Sequence, residues 1–146
     1  MMNAIFPPFI RGRGAVGLLI LRIVTGVAFV LHGWPKIQSP MDWMPPKAPV
    51  PGILQAAAAV AEFGGGIALI VGLLTPLASL GLVVTMVVAT AVHVSAGDPF
   101  VRYDLGPAYA LAVVYLAISL LLLLIGPGVI SLDAAIFSRA ARTPPD

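Results

Sequence analysis

The stretch AVAEFGGGIALIVGLL, residues 59–74, places one carboxylate, Glu62, inside an apolar segment and follows it at once with three glycines. Such a segment is typical of a transmembrane helix. A free carboxylate in hydrocarbon is costly, so Glu62 must be protonated, paired or in contact with water. The stretch therefore predicts a membrane helix whose single charged side chain has a specific partner.

Composition places the whole chain in the membrane class. Of its 146 residues 60% are hydrophobic and 10% charged, and the mean hydropathy is +1.04. The absence of cysteine excludes a thiol–disulfide active site, a thiolate-bound iron–sulfur cluster and a thiolate metal site. No basic run or aromatic-interleaved patch indicates a nucleic-acid partner, and no metal site is predicted.

Apolar runs of about 20 residues predict four membrane spans, at about residues 15–37, 52–74, 76–96 and 107–125. Only Thr75 separates the second span from the third, so these two are expected to form a tight helical hairpin. The expected fold is a single all-α integral membrane domain, a four-transmembrane-helix bundle with the lipid bilayer as its surroundings.

Two segments outside the spans also carry structural signals. The loop 38–51 contains five prolines and is expected to be extended, either as a cap over one membrane face or as a plain spacer. The segment 131–142 has Ser131 placed to cap a helix and Asp133 in its first turn, which favours a short amphipathic helix at the membrane interface.

Positive charges give a weak signal for orientation. Four basic residues flank the first and fourth spans on one side, and three lie toward the other side. Because short cytoplasmic loops are enriched in Lys and Arg, both termini are expected on the cytoplasmic side. The residues counted are Arg11, Arg13, Arg139 and Arg142 against Lys36, Lys47 and Arg102.

Five ionisable residues lie within the predicted spans: Arg22, His32, Lys36, Glu62 and His93. Glu62 is the only carboxylate among them and Arg22 the only guanidinium, and their depths in the two antiparallel helices are similar. The sequence therefore predicts an Arg22–Glu62 ion pair. Such a pair is either a structural element that fixes helix register or part of a functional site.

Small residues on the first two spans predict close helix packing around that pair. Gly26 and Gly33 lie seven residues apart on the first span, and Gly65 and Gly66 lie one turn from Glu62 on the second. Small residues allow neighbouring helices to approach closely in a bilayer. We therefore expect these four glycines to have structural roles.

A second polar layer is expected nearer the outer face. His32 and Lys36 are one turn apart on the first span, and His93 lies near the end of the third, which rises toward the same side. These three side chains are expected to line one cavity, although each is also explained as a solvated or locally bonded residue. Trp34 beside them is most simply an interface anchor and is otherwise a ligand-binding candidate.

Three stretches resemble the DoxX family in the expected order: LLILRIVTGVAFVLHGWPKI at 18–37, AEFGGGIALIVGLLTPLA at 61–78 and GPGVISLD at 126–133. The resemblance implies a four-helix integral membrane protein of a bacterial or archaeal cell membrane. It marks as site residues Arg22, His32, Gly33, Lys36, Glu62, Gly65 and His93. Some DoxX relatives are subunits of a thiosulfate:quinone oxidoreductase, and others belong to membrane oxidoreductase complexes linked to oxidative stress.

The function expected from this resemblance is that of a quinone-interacting redox subunit. His32 or His93 would donate to a quinone carbonyl, Lys36 would stabilise the reduced anion, and Glu62, held by Arg22, would relay a proton. Glu62 and His32 are then the catalytic candidates, and Arg22, Lys36, His93 and Trp34 the ligand-binding ones. The chain has no cofactor fingerprint of its own, so electrons would come from a partner protein.

Other functions stay open at this point. The protein is alternatively a non-catalytic membrane anchor or a subunit that binds a lipid or small metabolite. In a further alternative, His32 and His93 are the two axial ligands of a haem. A transporter would require a homo-oligomer to form a path.

Overall fold

The computed structural model describes residues 8–46 and 50–140, with residues 138–140 described by their backbone only. The described part of the chain forms helices and contains no β-strand. The helices are α1 (Arg13–Gln38), α2 (Gly52–Val71), α3 (Thr75–Ser95), α4 (Ala110–Ile125) and α5 (Leu132–Ala140). The expectation of an all-α protein is confirmed.

Three of these helices are long and apolar enough to cross a membrane, namely α1, α2 and α3. The fourth, α4, is apolar but has 16 residues, about 24 Å of helix at ~1.5 Å per residue. Large apolar side chains are exposed along all four, as expected for a lipid-facing surface. All four of these helices contribute buried apolar side chains to one core between them. These side chains are Leu18, Phe29, Leu69, Leu82, Met86 and Leu122.

Local signals explain where the predicted helix ends differ from the observed ones. The second helix stops at Val71 rather than residue 74, because Gly72 adopts the left-handed conformation (φ +69°) that terminates helices. The fourth begins at Ala110 rather than 107, because the amides of Tyr109 and Ala110 bond to carbonyls of Pro99 and Phe100 in the preceding loop. The first and third each agree within two residues.

Close backbone contact at glycine fixes how α1 lies on α2. A Cβ atom added to Gly26 would lie 2.6 Å from the carbonyl oxygen of Gly66, and one added to Gly33 would lie 2.6 Å from the amide nitrogen of Phe63. The two helices therefore run antiparallel in van der Waals contact, with Gly26 at the level of Ile70 and Gly33 at the level of Phe63.

The C-terminal segment folds back against the α2–α3 turn. Ser131 Oγ accepts a hydrogen bond from the amide of Ala134 at 3.1 Å and caps α5 as predicted. Leu132 and Ile136 are exposed on the outer side of this helix, consistent with an interfacial position. Residues 141 and 142 of the predicted amphipathic segment, and Lys47 of the charge count, lie outside the described residues.

Candidate functional site

Two polar clusters lie in the helical bundle, at opposite ends of α1. One surrounds Lys36 near the end of the helix, and the other surrounds Arg22 in its first half. Fourteen residues separate them, about 21 Å along the helix axis at ~1.5 Å per residue. They are therefore separate sites and are described in turn.

Lys36 and Glu62 form an ion pair with two hydrogen bonds. The ammonium Nζ lies 2.6 Å from Oε1 and 2.7 Å from Oε2 of the carboxylate. The Glu62 side chain is 3% exposed and that of Lys36 22%. The Nζ also lies 4.4 Å from the ring centroid of Trp43, in the loop before α2, a distance that allows a cation–π interaction. A buried carboxylate thus has a partner that still reaches the protein surface.

His93 and Asp98 lie within ion-pair distance of each other, beside the Lys36–Glu62 pair. Nδ1 of His93 lies 2.7 Å from Oδ2 of Asp98, which follows α3 in the chain. The amide of Asp98 bonds back to the carbonyl of His93 at 3.0 Å, so the turn after the helix holds the carboxylate at Nδ1 of the ring. An ionised carboxylate only accepts hydrogen bonds, so Nδ1 carries the proton and Nε2 is the nitrogen left for another partner.

His32 is oriented by its own helix. Its Nδ1 donates to the carbonyl of Ala28 at 2.8 Å, which again leaves Nε2 free of that bond. Its ring packs edge-on against Tyr115 of α4 with 6.1 Å between centroids. Tyr115 in turn packs on Phe29 with 4.9 Å between centroids, so α4 closes this side of the site.

Two cavities meet at these groups. The smaller, about 190 Å³, lies toward α4 and includes His32 and Tyr115 in its lining. The larger, about 640 Å³, lies between α2, α3 and the loop that carries Trp43. Lys36, Glu62, Ala89 and His93 line both. The ion pair and His93 therefore stand at the boundary between the larger, mainly apolar crevice and the smaller chamber.

The expected Arg22–Glu62 pair is wrong. Arg22 is buried, and its Nη1 and Nη2 donate to the carbonyl oxygens of Pro127 and Ile130 at 2.7 and 2.9 Å. Glu62 binds Lys36 instead. Arg22 lines neither of these two cavities.

Helix register is the physical reason for this correction. Gly33 lies opposite Phe63 and Gly26 opposite Ile70, so the same antiparallel register places Arg22 beside the turn that follows α2. A Cβ atom on Gly72 in that turn would lie 2.6 Å from Nη1 of Arg22. Lys36 reaches Glu62 because it lies one turn after Gly33 on α1, toward the loop that carries Trp43.

The Arg22 cluster connects the C-terminal segment to the helical hairpin. The carboxylate of Asp133 accepts hydrogen bonds from the amides of Leu74 and Thr75, at 2.6 and 2.8 Å, and so caps α3. The amide of Asp133 donates to the carbonyl of Gly72 at 2.8 Å. Both carboxylate oxygens bind backbone amides and Asp133 is fully buried. This cluster therefore has a structural role, because it attaches the C-terminal segment to the α2–α3 turn.

The sequence of this chain matches a known family model. That model, DoxX, matches residues 17–95, more than half of the chain. This chain belongs to the DoxX family. No curated protein and no solved structure gives a significant match to it. Together with the apolar helices, membership establishes a multi-pass membrane protein.

The DoxX match covers α1, α2 and α3, and so includes Lys36, Glu62 and His93. The other predicted residues have simpler surroundings. Trp34 is 56% exposed and packs on Phe63 with 5.8 Å between ring centroids, outside both cavities. Gly65 faces Leu82 of α3, whereas Gly26, Gly33 and Gly66 lie between α1 and α2.

Sequence reasoning missed three residues that complete the site in this DoxX protein. Trp43 donates from Nε1 to the carbonyl of Gln55 at 3.0 Å, and Gln55 binds the loop at Met44 and Val50 through its side-chain amide. Asp98 orients His93. Gln55 carried a usable signal, since it is the only amide side chain in the second span. Trp43 and Asp98 lie in the loops that follow the helices of Lys36 and His93, and no helical spacing links them to those residues.

The described residues contain no group of three His, Cys, Asp or Glu side chains suited to hold a metal ion. A haem does not fit between His32 and His93, because the cavity they share is about 190 Å³, below the ~300–1,000 Å³ of ordinary ligand pockets. The larger cavity does fall in that range, with a mainly apolar lining and polar groups at one end.

Proposed function

We propose that this protein is a membrane subunit that binds a quinone in the larger cavity, with the quinone head group beside Lys36, Glu62 and His93. The observation that carries the proposal is the position of the Lys36–Glu62 pair, which lines the smaller chamber on one side and the 640 Å³ crevice on the other. Pockets with an apolar wall and a few convergent polar groups are typical of small-molecule sites.

The charge of the site favours a neutral ligand. Glu62 neutralises Lys36 through both carboxylate oxygens, and Asp98 accompanies His93. An anionic head group, such as a lipid phosphate or an acidic metabolite, would have to compete with Glu62 for the ammonium. A quinone has uncharged carbonyl oxygens that need only hydrogen-bond donors, so it does not have to displace the carboxylate.

Lys36 supplies a donor for those oxygens, and His93 supplies a second one when its ring is protonated. The Lys36 ammonium has three N–H groups, and two of them bind Glu62, so one remains for a ligand. His93 presents Nε2, which accepts a hydrogen bond in the neutral ring and donates one in the protonated ring. When bound, a quinone supplies two-electron chemistry coupled to protons at its two oxygens.

The roles we assign to Glu62 and His93 differ from the sequence expectation. Glu62 holds Lys36 in place and balances its charge, so we propose it as a fixed counter-ion rather than a proton relay. His93 is the proposed group that exchanges protons with the ligand, and Asp98 keeps its Nδ1 protonated and the ring oriented. His32 and Tyr115 line only the smaller chamber and face the other side of the pair.

We further propose that α1, α2, α3 and α4 all cross a bacterial or archaeal cell membrane, with both termini cytoplasmic. We also propose that a redox partner protein supplies the electrons. Family membership and the apolar helices support the membrane position. The absence of cysteine is consistent with redox centres carried by a partner.

Tryptophan fluorescence offers a direct test. The chain has two tryptophans, of which Trp43 lines the crevice and Trp34 does not. Quinones quench indole emission at short range. Titrating a benzoquinone into the detergent-solubilised Trp34→Phe variant, whose one reporter is Trp43, should give saturable quenching.

The matched control is Trp43→Phe, in which Trp34 is the reporter and quenching should stay weak and linear. Introducing His93→Ala into the Trp34→Phe background should weaken the saturable phase about tenfold, the effect of one lost hydrogen bond of ~1.4 kcal/mol. Equal, non-saturating quenching of both single-tryptophan variants would refute the quinone site. It would leave the membrane-anchor alternative in its place.

A further inference from the structure

The larger cavity begins where α2 and α3 touch, since a Cβ atom added to Gly81 would lie 3.5 Å from the Cβ of Ala61. From there it continues to the loop that carries Trp43. Side chains spaced by three and four residues on each helix then form its two walls: Leu54, Ala57, Ala58 and Ala61 on α2, and Gly81, Val84, Thr85 and Val88 on α3.

The wall residues divide by depth. Leu54, Val84 and Val88 line the crevice and are also 57%, 57% and 45% exposed on the outside of the bundle. Lys36, Glu62 and His93 lie at its inner side. The crevice therefore opens sideways through the apolar surface that α2 and α3 present to lipid, and its polar groups lie away from this opening.

We propose that this opening is a lateral entrance for a quinone with a long polyprenyl tail, and that the tail lies between α2 and α3 while the head group contacts Lys36 and His93. This inference rests on the proposed function and specifies its ligand as a membrane-soluble molecule. A tail is favoured because the side chains of both walls are apolar except for Thr85, and the opening is continuous with the head-group site. The Thr85 hydroxyl already donates to the carbonyl of Gly81, so the walls offer little to a small polar ligand arriving from water.

The length of the crevice suits this occupant. It runs from Pro51 at the start of α2 to Glu62, about 16 Å at ~1.5 Å per residue. Small side chains on α2, chiefly alanine, leave the width that a chain of isoprene units needs. A phospholipid acyl chain would also fill an apolar slot, but its anionic phosphate would meet Glu62 at the inner end.

The test compares two probes that differ only in the tail: a benzoquinone with a long polyprenyl tail, and the same head group without it. Binding is measured by Trp43 quenching in the Trp34→Phe background. Ala57→Phe and Val84→Phe fill the opening from its two walls. Val60→Phe and Val87→Phe are the matched controls, since both positions are exposed on the same helices and line neither cavity.

We expect Ala57→Phe and Val84→Phe to weaken binding of the tailed probe about tenfold or more, while the tailless probe and both control variants change less than about twofold. Unchanged affinity of the tailed probe in both filled variants would overturn the lateral entrance and leave the quinone site intact. Failure of both probes to quench the unfilled protein would instead overturn the proposed function. A phospholipid that co-purifies with the protein and is lost on filling the opening would assign the crevice to lipid, against the tail.

Discussion

Lys36 Nζ lies 2.6 and 2.7 Å from the two carboxylate oxygens of Glu62, and this pair joins the last turns of α1 to the middle of α2. The two partners differ in their access to water, because Glu62 is almost fully buried whereas about a fifth of the Lys36 side chain is exposed. Lys36 has a flexible stem that can carry its charge to the surface, and Glu62 has no such route. The pair is therefore asymmetric, and its two members should respond differently to substitution.

Lys36→Met should lower stability more than Glu62→Gln. The first leaves a buried carboxylate without its cation, and breaking a buried pair in this way costs up to ~3–5 kcal/mol. The second leaves an ammonium that is free to move toward water. The measurement is thermal unfolding of the detergent-solubilised variants.

The double variant Lys36→Met/Glu62→Leu separates folding from ligand binding. Removing both charges should restore the melting temperature above that of Lys36→Met, because no unpaired group remains in the membrane. Saturable quenching of Trp43 by the quinone should stay weak. A double variant no more stable than Lys36→Met would contradict the pairing.

Arg22→Lys should be strongly destabilising although it keeps the charge. The guanidinium donates from two separate nitrogens to the carbonyls of Pro127 and Ile130, and a single ammonium does not reproduce that fork. Each hydrogen bond to a charged group contributes ~1.5–3 kcal/mol. Melting temperature is the readout, with Arg13→Lys at an exposed position of the same helix as the control.

Ligand affinity distinguishes a structural Arg22 from a functional one. Because Arg22 lies outside both cavities, the folded fraction of Arg22→Lys should bind the quinone probe with affinity within about twofold of the parent protein. A loss of binding as large as that of His93→Ala would return Arg22 to the site.

Gly33→Ala should disrupt the α1–α2 contact and Gly64→Ala should not. A Cβ atom at Gly33 would meet the backbone of Phe63 at 2.6 Å, whereas at Gly64 nothing lies within 4 Å. Overpacking of this kind costs ~1–3 kcal/mol or more, and alanine in an open helical position gains ~0.5–1 kcal/mol over glycine. Melting temperatures should therefore move in opposite directions. A fall of equal size in both variants would argue against the close packing.

The sequence by itself determined the helical elements and the residue types of the site. Helix ends follow from local signals such as Gly72 and the Thr75–Pro76 step, and the polar residues are conspicuous because few charges occur in the spans. These features depend on the chain within a turn or two of each residue. Ser131 as a cap and the small-residue face of α1 belong to the same class.

Only the tertiary structure decided which charges meet. Glu62 had two cationic candidates on α1, and the contact of Gly33 with the backbone of Phe63 set the register that brings Lys36 rather than Arg22 to it. A shift of a few turns, each about 5.4 Å, separates the two outcomes, and no local pattern encodes it. Trp43 and Asp98 lie in the loops that follow α1 and α3, close in sequence to Lys36 and His93, and the conformation of each loop decides whether its side chain reaches the site.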